Sequence, residues 1–166
     1  MTLFAGIRKL PGGCLMRVRP DGSFEERRWY EVWEHTKPLS GLSDDEIARR
    51  ILEELRTSVR LRKVSDVPVG VFLSGGIDSS TNTALFSEGE QSRVKTFTIG
   101  YKGEYKTYRN ETHYARRMAE LAGTDHHERL LDVDDLISFL PRMVELQDEP
   151  IADPVCVPVY YVSELA

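Results

Sequence analysis

The segment Val69-Gly-Val-Phe-Leu73, which runs straight into Ser74-Gly-Gly-Ile-Asp-Ser79, constrains this chain more than any other stretch. A short, nearly continuous apolar run suits a strand buried on both faces, as in a parallel sheet. Ser74–Ser79 interrupts that run, and a helix is expected from Ser79 to about Ser87. Gly75 and Gly76 open backbone angles closed to other residues and allow an anion to approach the main chain. Ser74, Ser79 and the free N–H groups of the turn and helix start supply donors, at a position where a helix already favours negative charge.

The pattern is not a Walker loop, which requires Gly-Lys followed by Ser or Thr. Asp78 is at first sight misplaced beside a polyphosphate, because like charges repel. A divalent ion resolves the conflict, since Mg²⁺ binds through one or two carboxylates together with phosphate oxygens. Five fixed residues at ordinary frequencies recur by chance roughly once in 10⁴ chains of this length, so a plain Gly-Ser turn with Asp78 as a helix-entry acid is the weaker reading.

The flanking patterns predict the surrounding architecture. Residues 1–34 are β-rich: Cys14–Val18 and Phe24–Val32 flank Pro20-Asp-Gly-Ser23, an Asp-Gly hairpin signal. Residues 35–42 read as a linker. Ser43-Asp-Asp-Glu46 is a capping box for a helix to about Lys63, with its stripe at Ile47, Ile51, Leu52, Leu55 and Val59. Val94–Ile99 and His127–Leu131 are further strands. Asn110 is expected to cap a helix ended by Gly123, Asp132 or Asp134 another that Pro141 breaks or restarts, and Val157–Ala166 forms the last. From residue 43 the order is helix, strand, helix, strand, helix, strand, helix, helix. Such alternation predicts an α/β fold, an open parallel sheet with helices on both faces, preceded by a short β-rich segment.

Composition narrows the function classes. The 166 residues carry a net charge of −5, so there is no general attraction for nucleic acid or an anionic membrane face. No apolar run is long enough to span a membrane, and the first residues lack the layout of a secretory signal. Cys14 and Cys156 have neither disulfide-framework nor zinc spacing. A cytoplasmic protein is expected.

Ser74-Gly-Gly-Ile-Asp-Ser-Ser80 resembles the phosphate loop of the ATP-pyrophosphatase superfamily. Asp66–Ser80 as a whole, Phe97-Thr-Ile-Gly100, Asn110-Glu111 with Ala115, Gly123-Thr-Asp-His-His-Glu128 and Asp148-Glu-Pro-Ile-Ala-Asp-Pro154 resemble the glutamine-dependent asparagine synthetases. Thr2–Ile7 with Leu10-Pro-Gly-Gly13 resembles the closing segment of that family's glutaminase domain. The resemblance implies an adenine nucleotide α-hydrolase-like fold in residues 43–166, the first part of a synthetase domain, behind a glutaminase tail in residues 1–34. It implies ATP and Mg²⁺ as cofactors, aspartate or a similar carboxylate as substrate, and ammonia from a glutaminase domain. Asp78 and Ser74 are the implied catalytic residues. Phe72, Leu73, Ser74, Gly75, Gly76, Asp78, Ser79, Ser80 and Ile99 are the implied nucleotide-binding set, Phe72 and Ile99 on the adenine side and Asp78 holding Mg²⁺.

The sequence departs from the family in lacking its cysteine nucleophile and its Gly-Asp-rich segment, so an incomplete piece of a longer enzyme is expected. An uncovered sheet edge would then favour self-association. Two other readings stay open: a nucleotide-binding piece without turnover, and a relative amidating a different carboxylate. A transfer-RNA modifying enzyme sharing the loop fits the acidic composition poorly. His126 and His127 are adjacent on a strand and point to opposite faces, which disfavours a shared metal. Tyr101–Arg109 reads as a loop near the nucleotide, and Asp148, Glu149 and Asp153 as a substrate-side group or an exposed turn.

Overall fold

The structure, a computed structural model, describes residues 2–103, 110–147, 151, 153 and 155–166. The chain divides into two compact units, Met1–Ile47 and Ala48–Ala166.

The first unit is built on an antiparallel hairpin of β1 (Cys14–Val18) and β2 (Phe24–Arg28), paired from Cys14 with Arg28 to Val18 with Phe24. Gly22 takes φ +80° in the turn, and Asp21 Oδ1 accepts from the Ser23 N–H at 2.9 Å. β2 stops four residues short of the expected Val32. The cause is local: the N–H groups of Trp29 and Tyr30 both donate to the Gly13 carbonyl, which ends the regular ladder. A single 3₁₀ turn, Val32–His35, follows. None of the described residues in 2–47 is buried.

The second unit has the expected order. After α1 (Asp44–Arg62), which starts in the first unit, come β3 (Val71–Phe72), α2 (Ile77–Ser87), β4 (Lys95–Tyr101), α3 (Thr112–Ala122), β5 (Asp125–Leu131), α4 (Val133–Leu146) and α5 (Cys156–Leu165). The Ser43 box is formed, with Ser43 N–H donating to Glu46 Oε2 at 2.9 Å and Glu46 N–H donating to Ser43 Oγ at 3.4 Å. The three strands pair in parallel, β3–β4–β5, with Phe72 opposite Phe97 and Phe97 opposite His127.

Alternation along β4 sorts the two faces. Thr96, Thr98 and Gly100 face α2 and α3, while Phe97, Ile99 and Tyr101 face the other way. Leu73, Ala115 and Ala119 form the core on the first side. On the second, Leu131, Phe139, Val157 and Tyr161 form the core, with Ile99, Tyr101, Met143 and Tyr160 against it. Helices therefore cover both faces of a parallel sheet. A Cβ on Gly100 would lie 2.4 Å from Thr112 Cγ2, so glycine here lets α3 close onto the sheet.

Several local expectations are corrected. The strand expected over Val69–Leu73 is ladder-paired only at Val71–Phe72, and it is an edge among the described strands. Burial on both faces fails: Leu73 is 1% exposed but Phe72 is 49% exposed, because α5 covers β4 and β5 rather than β3. α2 begins at Ile77, not Ser79. Glu111, not Asn110, precedes α3, and the Asn110 amide donates instead to the Tyr101 carbonyl at 2.8 Å. Gly123 ends α3 with φ +66°, as expected. Pro141 does not break α4, which continues to Leu146. Phe139 and Met143, on either side of it, are both held in the α4–α5 core, and that burial outweighs the one lost hydrogen bond.

At the start of α4, Asp132 Oδ1 accepts from the Asp135 N–H at 2.9 Å and the Asp135 carboxylate accepts from the Asp132 N–H at 3.0 Å. Lys102 Nζ lies 2.9 Å from Asp132 Oδ2. The Asp135 backbone donor foremost, then Lys102, lowers the Asp132 carboxyl from its ordinary 3.8 to about 2. A depressed folded value means that the stabilisation is complete above the unfolded value and vanishes as pH falls through the folded one. The melting-temperature gap between wild type and Asp132→Ala is accordingly expected to hold steady from neutrality to about pH 5 and to close between about pH 4 and pH 2. A calorimetric pH series checks this.

Candidate functional site

The loop Ser74–Ser79 leaves the carboxyl end of β3 and turns directly into α2. It is fixed at its base by Leu73, whose N–H donates to the Phe97 carbonyl at 2.9 Å and whose carbonyl accepts from the Thr98 hydroxyl. Gly75 takes φ +89°, a conformation that L side chains rarely adopt. A Cβ there would sit 2.8 Å from the Ala115 nitrogen, 2.9 Å from the Glu111 carbonyl oxygen and 2.9 Å from Tyr114 Cβ. The space beside Gly75 is thus filled by the first turn of α3, so its role is to pack the loop, not to admit an anion.

Gly76 differs. Its φ of −68° suits any residue, and a Cβ there would meet only Ser74 Oγ at 3.4 Å. Nothing among the described residues requires glycine at 76. It precedes α2 without a side-chain cap, and the first intrahelical bond runs from the Ser80 N–H to the Gly76 carbonyl at 3.0 Å. The N–H groups of Ile77, Asp78 and Ser79 precede that bond and have no intrahelical acceptor.

The two serines brace the turn. Ser79 Oγ lies 2.9 Å from Ser74 Oγ, accepts from the Ser74 N–H at 3.2 Å and donates to the Gly76 carbonyl at 3.1 Å. Ser74 Oγ also accepts from the Gly76 N–H at 3.3 Å. Asp78 is exposed in the first turn of α2, and no ion pair is formed by it among the described residues. There is also no group of three ligating side chains among the described residues. A cation beside Asp78 would therefore be held by one carboxylate and by oxygens of a ligand, which is how Mg²⁺ is commonly bound.

The remaining expected residues are dispersed. The Leu73 side chain is core, so only its backbone reaches the loop. Ser80 lies within α2. Phe72 and Ile99 share the opposite sheet face, Ile99 against the α4–α5 core. A groove of about 680 Å³ is lined by Lys63, Val69, Phe86 and Lys95, toward the amino ends of β3 and β4, and reaches Phe72 on the sheet face away from α3. Ligands of open α/β sheets bind at the carboxyl ends, so the loop outweighs that groove as the candidate site.

His126 faces α3, with Nδ1 2.9 Å from Thr96 Oγ1 and Nε2 3.1 Å from Glu128 Oε1. His127 stacks on Phe97 at 5.5 Å on the other face. Its buried Nε2 is 3.2 Å from Asp125 Oδ2 but off the hydrogen-bonding line, so it has no hydrogen-bond partner among the described residues. Asp153 Oδ1 accepts from the Val155 N–H at 3.0 Å. Asp148 and Glu149, and most of the Tyr101–Arg109 loop, lie outside the described residues. The contribution of Glu111, Tyr114 and Ala115 to the loop was not legible in the sequence, because nothing local links them to Gly75, 36 to 40 positions away.

The loop lies at the carboxyl end of a parallel strand and opens an uncapped helix start, the setting in which open α/β folds bind anionic ligands. The family model for asparagine synthase matches residues 50–166, and the chain belongs to that family. It is 31% identical to asparagine synthetase [glutamine-hydrolyzing] 1 of Bacillus subtilis over 165 residues, and 34% identical to a putative asparagine synthetase [glutamine-hydrolyzing] of Mycobacterium tuberculosis over 166. Each alignment covers 99% of this chain and 25% of the relative, so the chain spans about a quarter of the length of these curated relatives. Amidase chry2 of Gibberella zeae is 30% identical over 92% of this chain and 24% of its own length. Among solved structures, an ammonia-dependent NAD synthetase from Campylobacter jejuni in complex with nitrate aligns with a TM-score of 0.44 at 18% identity, over 70% of this chain and 49% of that one.

The two glycines are expected to respond differently to substitution. Gly75→Ala should cost at least about 2 kcal/mol, from the left-handed backbone and the collision with α3. Gly76→Ala should change stability by less than about 0.5 kcal/mol. Urea melts of both variants check the pair.

Proposed function

We propose that the loop binds the phosphates of ATP and that the chain serves the ATP-dependent amidation of a carboxylate, aspartate to asparagine, within a longer ligase. The single observation that carries this reading is Gly76. Neither its backbone angle nor a protein neighbour demands glycine, yet a side chain there would stand over an uncapped helix start with N–H groups free for an anion.

Carboxylates do not react with ammonia at neutral pH, so ATP is needed to activate one. In this reading the aspartate side-chain carboxylate attacks the α-phosphorus, pyrophosphate departs, and ammonia from a glutaminase domain then displaces AMP from the acyl-adenylate. The loop's task is to stabilise charge on the departing pyrophosphate. The N–H groups of Ile77, Asp78 and Ser79 are the free donors, with the Ser80 hydroxyl beside them; the Ser74 and Ser79 hydroxyls, which brace the turn, would join them only by giving up their bonds to each other and to the Gly76 carbonyl. Mg²⁺ on Asp78 would offset the repulsion between that carboxylate and the phosphates. Phe72, half exposed, and Ile99 are assigned to the adenine side, with the backbone of Leu73 and Gly75 completing the wall.

Membership of the family and the glutamine-hydrolysing relatives support this reading, and the acidic composition gives no footing for nucleic acid. A second reading is amidation of a carboxylate other than aspartate, left open because relatives at 29–30% identity carry the name amidase and not asparagine synthetase.

ATP–pyrophosphate exchange dependent on aspartate is the expected activity of the complete enzyme. Asp78→Asn should weaken Mg·ATP binding at least on the order of tenfold; an unchanged affinity would sink the proposed site. Exchange with another carboxylate but not aspartate selects the second reading. β3 also presents an unpaired edge among the described strands, beside the half-exposed Phe72. Self-association of the 166-residue chain is therefore expected in sedimentation velocity, and a single monomeric boundary across concentrations counts against it.

A further inference from the structure

One polar chain, buried at its sheet end and exposed at its helix end, is not used by the phosphate loop itself. Thr96 Oγ1, on a fully buried residue of the central strand, lies 2.8 Å from Thr124 Oγ1 and 2.9 Å from His126 Nδ1. His126 Nε2 reaches Glu128 Oε1 at 3.1 Å. The Glu128 carboxylate then takes a forked grip from Arg116 of α3: Nε lies 2.9 Å and the terminal nitrogen 2.7 Å from Oε2. The chain thus runs from the middle of the sheet through β5 to α3, and Arg116 directly follows Ala115, whose nitrogen closes off Gly75.

We propose that Arg116, Glu128, His126 and Thr96 are positioning residues that set the phosphate loop by fixing where α3 sits along the sheet. This rests on the reading of that loop as the nucleotide site. Ala115 and Ala119, the buried apolar contacts of α3 with Leu73, are small and non-directional, so they resist lifting of the helix better than sliding. A sliding α3 would carry the Ala115 nitrogen and the Glu111 carbonyl into Gly75 or away from it. A planar guanidinium on a carboxylate is directional and opposes that motion. Directionality has to begin at the carboxylate. An ionised Glu128 only accepts, so His126 donates from Nε2, which fixes the carboxylate plane on one edge, while Thr96 holds the other side of the ring through Nδ1. Glu128 has 18% of its side chain exposed, against 53% for Arg116, so the fixed end of the clamp is on the sheet.

The test uses the 166-residue chain, isothermal titration with Mg·ATP, thermal melts, and amide hydrogen exchange without nucleotide. Arg56 and Glu88 supply the control, since they form a similarly forked and exposed pair away from the loop. Arg116→Met is expected to weaken Mg·ATP binding roughly three- to tenfold and to speed exchange over residues 74–79. Arg56→Met should lower the melting temperature about as much and change neither readout. Adding Glu128→Gln to Arg116→Met should weaken binding little further, because the two act as one unit. Unchanged affinity and exchange in Arg116→Met, or equal losses in Arg56→Met, overturn the positioning role. Gly76→Val separates the two ideas. If it abolishes binding while Arg116→Met does not affect it, only the positioning role fails. If wild type does not bind, or Gly76→Val binds normally, the site reading fails and this proposal with it.

Discussion

The Ala115 nitrogen and the Glu111 carbonyl oxygen stand less than 3 Å from where a Cβ on residue 75 would be. That close approach of one backbone to another lets a sharp turn leave the sheet edge and become a helix with its amide groups facing outward. It requires Gly75 in the left-handed region, and it requires α3 low on the sheet. α3 is low because Gly100 has no side chain to lift Thr112 away, and because Leu73 meets two alanines on that helix, not larger residues. Four glycine or alanine positions, Gly75, Gly100, Ala115 and Ala119, serve one steric constraint.

The two faces of the sheet are built from different chemistry. Against α4 and α5 the core is aromatic and aliphatic, with Phe139 within 5.6 Å of the Tyr161 ring and Arg129 over the same tyrosine at 4.2 Å. Against α2 and α3 the central strand offers Thr96 and Thr98, both buried and both hydrogen-bonded. Buried hydroxyls demand partners, and those partners are the base of the loop and the strand beside it. The face carrying the candidate site is thus tied together by directional bonds, and the opposite face by packing. A loop that holds its N–H groups in fixed directions gains from the first kind of support.

Much of the second unit was legible residue by residue. The Ser43 box, the Asp132 cap and the Gly123 terminus are local devices whose geometry is set within a few residues, and all three form. Expectations failed where a distant neighbour decided. Asn110 is a good cap residue, but the Tyr101 carbonyl captured its amide. Pro141 usually ends a helix, but buried side chains on both sides carry α4 through it. Phe72 belongs to an apolar run that reads as fully buried, yet the helix that would cover it lies over other strands. Gly75 and Gly76 look alike in sequence, and only the position of α3 separates a packing glycine from an open one.

The sequence by itself determined the order of strands and helices, the Ser43 and Asp132 caps, and the turn between β3 and α2, because periodicity and turn chemistry act over short distances. It also placed His126 and His127 on opposite faces, since strand geometry leaves no choice. The tertiary structure alone decided that α2 starts two residues early, that one glycine packs against α3 while the other stays open, and that Arg116 meets Glu128. Those outcomes depend on where a helix comes to rest on a sheet, a matter of steric fit among residues tens of positions apart that no local pattern encodes.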